Sequence, residues 1–427
     1  MDFFSQLLKF PSRRGGDMAS VVRALLRIKG EASAIKLAFE ILQRYKASSE
    51  DDKKAFFYLL LNELGPNNAD LDQAIANYTV SAKTENYLAL LDAIEPLRQD
   101  LIRTLNWTPK GTSSIIKMRA DLLGFLKNDK DLRPVDYDFQ HLLSSWFNRG
   151  FLELRRISWE TPAFILEKLI HYEAVHEITD WGDLQRRLAD DRRCFAFFHP
   201  QLPNEPLIFV EVALTKGLVS NIHDVLRDPT PEDDAVKSPD TAIFYSINNC
   251  QKGLKGISFG NFLIKQVADE LAEEIGSLKN FATLSPIPGF RHWLDGKVRK
   301  RVEDAVEFGL SDDDIDRLAL LEQENWWHNE EAAQALKPLL TQLCARYLLE
   351  AKRGDEPADP VARFHLSNGA RIEQLNWLGD KSEQRMAQSY GLLVNYVYDR
   401  RSVIKNHEAY VGKGRVVASS SVTSTAK

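Results

Sequence analysis

From residue 20 to about residue 150 the apolar positions recur every three to four residues. Ala34, Leu37, Ala38, Ile41 and Tyr45 form one such stripe, and Phe56, Leu59, Leu60 and Leu64 form another. Ser48 and Ser49 precede the second stripe and Gly65-Pro66 follows it, which matches helix start and stop chemistry. A third helix is predicted over Thr84 to Ile94, restarting at Pro96 and continuing to Leu105. A fourth follows Thr112-Ser113-Ser114 and carries Ile116, Leu122, Leu123 and Leu126. A fifth follows Pro134 with Phe139, Leu142, Leu143 and Phe147. Each stripe needs burial and the connections are short, so an antiparallel bundle is expected. This half gathers no histidines, cysteines or paired carboxylates. Its readings are docking, oligomerisation or a packed structural domain.

Near Gly150 the pattern changes. Runs rich in aromatic and β-branched residues predict strands at 194–199 (CFAFFH), 207–214 (LIFVEVAL) and 242–247 (AIFYSI). A helix is expected at 261–275, a strand at 281–285 and a highly charged helical stretch at 297–352 around Trp326-Trp327. Further strands are expected at 362–366, 372–377 and 392–398. The outcome is a helical domain over residues 1–150, then a mixed-sheet α/β domain over 151–414. The Ser/Thr-rich segment 415–427 is expected to be disordered.

Bulk properties narrow this picture. A chain of 427 residues is long for one core, so two or three domains are expected. The formal charge of −6 argues against a nucleic-acid binder, while leaving room for a local basic pocket. Cys194, Cys250 and Cys344 are far apart with no metal-ligand spacing, which suits a reducing compartment and no structural zinc. No apolar run approaches the roughly 20 residues that span a bilayer. The opening MDFFSQLLKFPSRRGG has too short an apolar region for a secretory signal, and the chain ends Thr-Ala-Lys rather than Ser-Lys-Leu. A cytoplasmic location is expected.

Candidate chemistry lies in four places. Gln251-Lys252-Gly253-Leu254-Lys255-Gly256 follows a predicted strand and precedes a helix. Glycines let backbone N–H groups approach a ligand, and a helix start favours an anion. This is neither a Walker A loop nor GxGxxG. It resembles, with altered spacing, the turn by which GNAT-type acyltransferases bind the pyrophosphate of coenzyme A. A tight strand–helix turn with surface lysines is the plain alternative. Second, Ser285-Pro286-Ile287-Pro288-Gly289 places a hydroxyl before a stiff segment, because proline fixes φ and removes a donor. It reads equally as a structural turn. Third, His365 sits at the end of the predicted strand 362–366, before Asn368-Gly369. Histidine exchanges protons near neutral pH, and with a serine it supports acid–base or nucleophilic chemistry. His199, His292 and His328 are alternatives. Fourth, Tyr396 and Tyr398 share one strand face, and Tyr398 could orient a site group or pack against the core.

In this order, GLKGISFGNFLIK, SPIPGF, FHLSNGA and GLLVNYVY resemble the malonyl-CoA decarboxylase family over about residues 157–400. The resemblance implies a helical N-terminal bundle used in oligomerisation, with a tetramer favoured, followed by a GNAT-like mixed-sheet catalytic domain. It implies conversion of malonyl-CoA to acetyl-CoA and carbon dioxide, and a role in malonate and fatty acid metabolism. Ser285 and His365 fall on the family's catalytic serine and histidine, and Tyr398 on a tyrosine near the site. Lys255, Gly256, Ile257, Ser258, Phe259, Gly260 and Asn261 fall on the substrate-binding turn, with Ser285 and His365 also touching substrate. Ser258 stands where animal members carry a glutamate. No metal or cofactor is implied, since coenzyme A is part of the substrate.

That reaction needs the enolate oxygen stabilised and the carbanion protonated. Backbone N–H groups of residues 255–261 are candidates for the first demand. Ser285 is expected to bind the malonyl carboxylate or take a proton from it, and His365 to protonate carbon. A CoA-dependent N-acyltransferase is the main alternative and would need an amine acceptor. A thioesterase lacks the GxSxG elbow, and a non-catalytic acyl-CoA sensor would bind without turnover.

Overall fold

A computed structural model of the chain describes residues 17–227, 238–257, 263–296 and 310–427. It divides into two compact units. Of the described residues, the first takes in 17–153, 198–207 and 249–257, and the second 154–197, 208–227, 238–248, 263–296 and 310–427.

The first unit is helical: α1 (Met18–Arg27), α2 (Glu31–Ala47), α3 (Glu50–Asn62), α4 (Asn68–Val80), α5 (Thr84–Ile94), α6 (Leu97–Asn106), α7 (Gly111–Phe125) and α8 (Arg133–Trp146). Ser49 caps α3 by accepting the Asp52 N–H, as its place before the apolar stripe predicted. Phe57 is fully buried and meets Tyr45, Phe56, Phe125 and Phe139 edge-on at 5.9–6.3 Å. This aromatic cluster joins α2, α3, α7 and α8, and edge-to-face rings add to the stabilisation from burial. Helix α4 has no counterpart in the sequence reading. It buries only Ala74, so it carries no apolar stripe to detect. Helix α5 buries none of its residues.

The same unit takes in the glycine-rich turn, with a single helical turn at Lys252–Leu254. Gly253 lies against α7 so closely that a Cβ there would stand 1.9 Å from the Ile116 carbonyl oxygen. Arg119 on α7 is 2% exposed. Its Nε donates to Asp136, and its Nη1 donates to the carbonyls of Gly253 (2.8 Å) and Lys255 (2.9 Å).

The second unit is built on an eight-stranded mixed sheet. Its strands are β1 (Glu153–Ile157), β2 (Arg192–Phe198), β3 (Ile208–Thr215), β4 (Thr241–Asn249), β5 (Asn280–Thr283), β6 (Ser285–Pro286), β9 (Arg371–Asn376) and β10 (Leu393–Val397). The short pair β7 (Lys352–Arg353) and β8 (Glu356–Pro357) stands apart. The order is β1-β2-β3-β4-β5-β10-β6, with β9 also on β10. Strands β2 and β3 are almost wholly buried, which is why they read as continuous apolar runs.

Strands β4 and β5 run parallel, from Thr241 beside Asn280 to Phe244 beside Thr283. Helix α9 (Leu263–Glu274) connects them. Leu284 N–H still donates to the Phe244 carbonyl, but Pro286 has no N–H to continue the ladder. Beyond that point only the pairing with β10 continues, from Val397 opposite Ala282 to Val394 opposite Ser285. Ser285 thus sits where the strand loses its parallel neighbour and keeps its antiparallel one.

Two expectations are corrected. Residues 362–366 are not a strand but lie in helix α10 (Pro360–Ser367). Asp359 accepts the Val361 and Ala362 N–H groups and Pro360 occupies the first turn, a helix-start signal that outweighs the β-prone Val361 and Phe364. The segment from Arg415 is not irregular. Ile372 N–H donates to the Val417 carbonyl, Ser419 N–H to the Ile372 carbonyl, and Ser419 caps α11 (Ser420–Thr425), whose Val422 is buried. The few valines among its polar residues suffice to dock it on β9. Part of the charged stretch at 297–352 lies outside the described residues. The remainder contains the long helix α12 (Glu330–Glu350).

Replacing Gly253 by alanine forces backbone apart, so Gly253→Ala lowers the stability of the helical unit by about 1–3 kcal/mol. Gly276→Ala, where nothing lies within 4 Å of the added Cβ, leaves it unchanged. Thermal unfolding of the two variants checks this pair.

Candidate active site

Ser285, Thr283, His365, Tyr396 and Tyr398 converge in the second unit. Alternation along β5–β6 puts Thr283 and Ser285 on one face, and β10 with its continuation brings Tyr396 and Tyr398 to the same place. Helix α10 delivers His365 in its last turn and ends at Asn368-Gly369. Gly369 has φ +82°, and a Cβ there would lie 2.1 Å from the Val403 carbonyl oxygen, so only glycine closes the helix here.

His365 Nε2 lies 3.1 Å from Ser285 Oγ, and His365 Nδ1 lies 2.7 Å from Tyr398 Oη. Ser285 Oγ is also 2.8 Å from Thr283 Oγ1, which accepts the Tyr396 N–H at 3.2 Å. The imidazole stacks on the Tyr396 ring, centroids 4.5 Å apart and 26° between planes. Asn395 fixes Thr283 from behind by donating to its carbonyl, and takes a hydrogen bond from Asn376. Ser285 and His365 are 5% and 2% exposed.

Burial pushes the His365 pKa down to about 3, so the ring is neutral at pH 7. A neutral imidazole has one donor and one acceptor, and the network accepts both tautomers. With the proton on Nδ1, the ring donates to Tyr398 Oη and Nε2 accepts the Ser285 hydroxyl. With the proton on Nε2, the ring donates to Ser285 Oγ, the serine turns its hydrogen to Thr283, and Tyr398 donates to Nδ1. The arrangement can therefore pass a proton between the serine and the ring, while the buried Tyr396 hydroxyl beside it has no hydrogen-bond partner among the described residues. Burial also raises the Tyr398 pKa well above its ordinary value, so Tyr398 stays a neutral hydroxyl.

Of the predicted turn residues, Lys255, Gly256 and Ile257 are described and belong to the first unit. Gly256 has φ +79° and its carbonyl accepts Gln140 Nε2 at 3.1 Å. The Arg119 bond to the Lys255 carbonyl holds the preceding residue. Ser258, Phe259, Gly260 and Asn261 lie outside the described residues. His199 packs on Phe147 and contacts the Trp146 carbonyl, a structural role, while His292 and His328 are exposed. Thr283 and the ring of Tyr396 went unremarked as partners in the sequence reading. Thr283 was detectable, two residues before Ser285 and so on its face of the strand. The stacking of Tyr396 carries no local signal.

Comparison with known proteins bears on these residues. Residues 150–427 match the family model described as Malonyl-CoA decarboxylase C-terminal domain, and residues 64–147 match that of the Malonyl-CoA decarboxylase N-terminal domain. The mitochondrial malonyl-CoA decarboxylase of Anser anser anser is 35% identical over 350 residues, covering 78% of this chain and 69% of that protein. The crystal structure of malonyl-CoA decarboxylase from Rhodopseudomonas palustris superposes with a TM-score of 0.90 at 48% identity, covering 95% of this chain and 98% of that one. That from Cupriavidus metallidurans gives 0.74 at 35% identity, with 96% and 98% covered.

The depressed pKa of His365 makes a prediction about acid stability. Below its unfolded value near 6.5 the unfolded chain binds a proton that the folded chain refuses until about pH 3. This contribution is present above pH 6.5 and is lost as pH falls through that window, at up to about 1.4 kcal/mol per pH unit. His365→Asn therefore shows a shallower loss of unfolding midpoint between pH 6.5 and 4.5 than the unsubstituted protein. Parallel slopes would contradict a neutral buried imidazole.

Proposed function

The chain belongs to the malonyl-CoA decarboxylase family and decarboxylates malonyl-CoA to acetyl-CoA and carbon dioxide, and we propose that Ser285 and His365 carry the chemistry. The observation that supports this reading is the contact of Ser285 Oγ with His365 Nε2 while Tyr398 holds Nδ1.

The reaction breaks the bond between the carboxylate carbon and the methylene carbon. Its electron pair passes into the thioester carbonyl as an enolate, and a proton then forms the methyl group. Carbon dioxide leaves without a charge, so each turnover consumes one proton. In the empty site His365 is neutral. A malonyl carboxylate arriving beside it favours the imidazolium, because an opposite charge offsets the cost of burial. Substrate and proton are thus taken up together.

The Ser285 hydroxyl donates to the carboxylate and orients the bond to be broken. As carbon dioxide leaves, Nε2–H protonates the methylene carbon and the imidazole returns to its neutral state. Tyr398 accepts from Nδ1–H throughout and keeps Nε2 turned toward the reacting atoms. Lys255, Gly256 and Ile257, with Ser258, Phe259, Gly260 and Asn261, are assigned to binding the coenzyme A portion, which rests on the family pattern. Coenzyme A enters as part of the substrate, and the thioester carbonyl serves as the electron sink, so no further cofactor is assigned.

The N-terminal unit is assigned to a homo-oligomer contact. Tyr87, Leu88, Leu91 and Ile94 on α5, with Ile75 on α4, are about half exposed and form an apolar stripe. A second copy of the chain is its assigned partner. No helix among the described residues is long and apolar enough to cross a membrane. A cytoplasmic location is assigned from the three buried cysteines, none of them in a disulfide.

Incubation with malonyl-CoA alone releases carbon dioxide and acetyl-CoA with no acceptor present, which a pure acyltransferase cannot do, and dialysis against EDTA leaves the rate unchanged. Ser285→Ala and His365→Asn each lower kcat on the order of 10²–10⁴-fold; unchanged turnover in both would remove the dyad from the mechanism. Light scattering after size exclusion gives a smaller particle for Leu88→Asp/Leu91→Asp than for the unsubstituted protein, with malonyl-CoA binding retained in any folded monomer. An unaltered mass would move the contact elsewhere.

A further inference from the structure

Asp359 touches neither Ser285 nor His365, yet both depend on where it sits. It is 1% exposed, and each of its carboxylate oxygens is engaged. Oδ1 accepts the N–H groups of Val361 (2.9 Å) and Ala362 (3.0 Å), capping α10. Oδ2 accepts the Gly289 N–H at 3.2 Å and the Tyr347 hydroxyl, from α12, at 3.4 Å. A helix cap alone calls for one short side-chain oxygen, which serine supplies without a buried charge. Burial raises the pKa of Asp359, so an ionised carboxyl is unfavourable at this place. The second oxygen, reaching to a different part of the chain, needs another reason.

That reason lies in what its two oxygens hold. From Asp359, six residues of α10 lead to His365, a rise of about 9 Å along a helix. From Gly289, the chain runs back through Pro288, Ile287 and Pro286 to Ser285. Both prolines have fixed φ, and Ile287 and Phe290 are fully buried. Both connections are stiff, and they meet at one carboxylate. The loop can come down on it only because residue 289 is glycine: a Cβ there would lie 2.2 Å from Tyr347 Oη and 3.4 Å from Asp359 Oδ2. The geometry points to Asp359 as a positioning residue, the shared anchor that sets the separation of Ser285 Oγ and His365 Nε2. This inference rests on the dyad reading above.

Two substitutions separate anchoring from capping. Asp359→Asn keeps an oxygen for the cap but turns an amide toward Gly289, which cannot accept its N–H. Asp359→Ser keeps the cap and is too short to reach Gly289. Both are expected to unfold near the midpoint of the unsubstituted protein. Both are expected to lose kcat on the order of 10²-fold, as misplacement by about 1 Å does, while KM for malonyl-CoA stays within about threefold. In the His365→Asn background, Asp359→Asn lowers the residual rate no further. Full kcat in both folded variants, a further drop in the double variant, or failure of both cap-preserving variants to fold would each overturn the anchoring role. If His365→Asn itself retains full turnover, it is the dyad reading that fails. If His365→Asn is inactive while Asp359→Asn is fully active, only the anchor fails.

Discussion

The imidazole of His365 has given up its water and is held by Ser285 on one nitrogen and Tyr398 on the other. That exchange constrains everything around it. A buried imidazole is neutral, so each of its two nitrogens needs a partner of the right kind. Thr283 and Tyr398 satisfy this by accepting either tautomer. A reaction that consumes a proton then needs a charge to draw the proton in, and the malonyl carboxylate supplies it. The same burial that weakens His365 as a base in the empty site makes its protonation conditional on substrate.

Secondary structure fixes the pair by unlike means. Ser285 stands where the strand leaves its parallel neighbour β4 while staying paired with β10, at a point where proline ends the parallel ladder. His365 rides on a short helix that begins at a buried carboxylate and ends at a left-handed glycine. Neither element alone defines the distance between the two groups, and the buried carboxylate of Asp359 is bonded to both arms. In the helical unit, Arg119 bonds the carbonyls on either side of Leu254 in the glycine-rich turn. The apolar periodicity of that half carries no sign of this, because an arginine with two carbonyl partners leaves no periodic trace.

Much of the architecture was legible because burial writes a period into the chain. The stripes of α2, α3 and α8 and the apolar runs of β2, β3 and β4 follow directly from which side chains meet the core. Helix α4 escaped because it buries one alanine. The expected strand 362–366 is a helix because the Asp359-Pro360 start signal outweighs the β-prone Phe364 within it. Ser285 was visible through its prolines, and His365 through the Asn-Gly that closes its helix. Their pairing across eighty residues was not visible from spacing and came only from the family resemblance. Asp359 was invisible as an anchor because its second partner, Gly289, lies seventy residues away.

A His365 that is neutral in the free protein takes up a proton together with the acyl anion. Calorimetric titration with a malonyl-CoA analogue bearing a sulfonate in place of the leaving carboxylate, repeated at pH 7 in buffers of different ionisation enthalpy, counts protons bound per ligand. Uptake is close to one proton in the unsubstituted protein and close to none in His365→Asn. Equal uptake by the two proteins, or no uptake by either while both bind the analogue, would contradict this coupling.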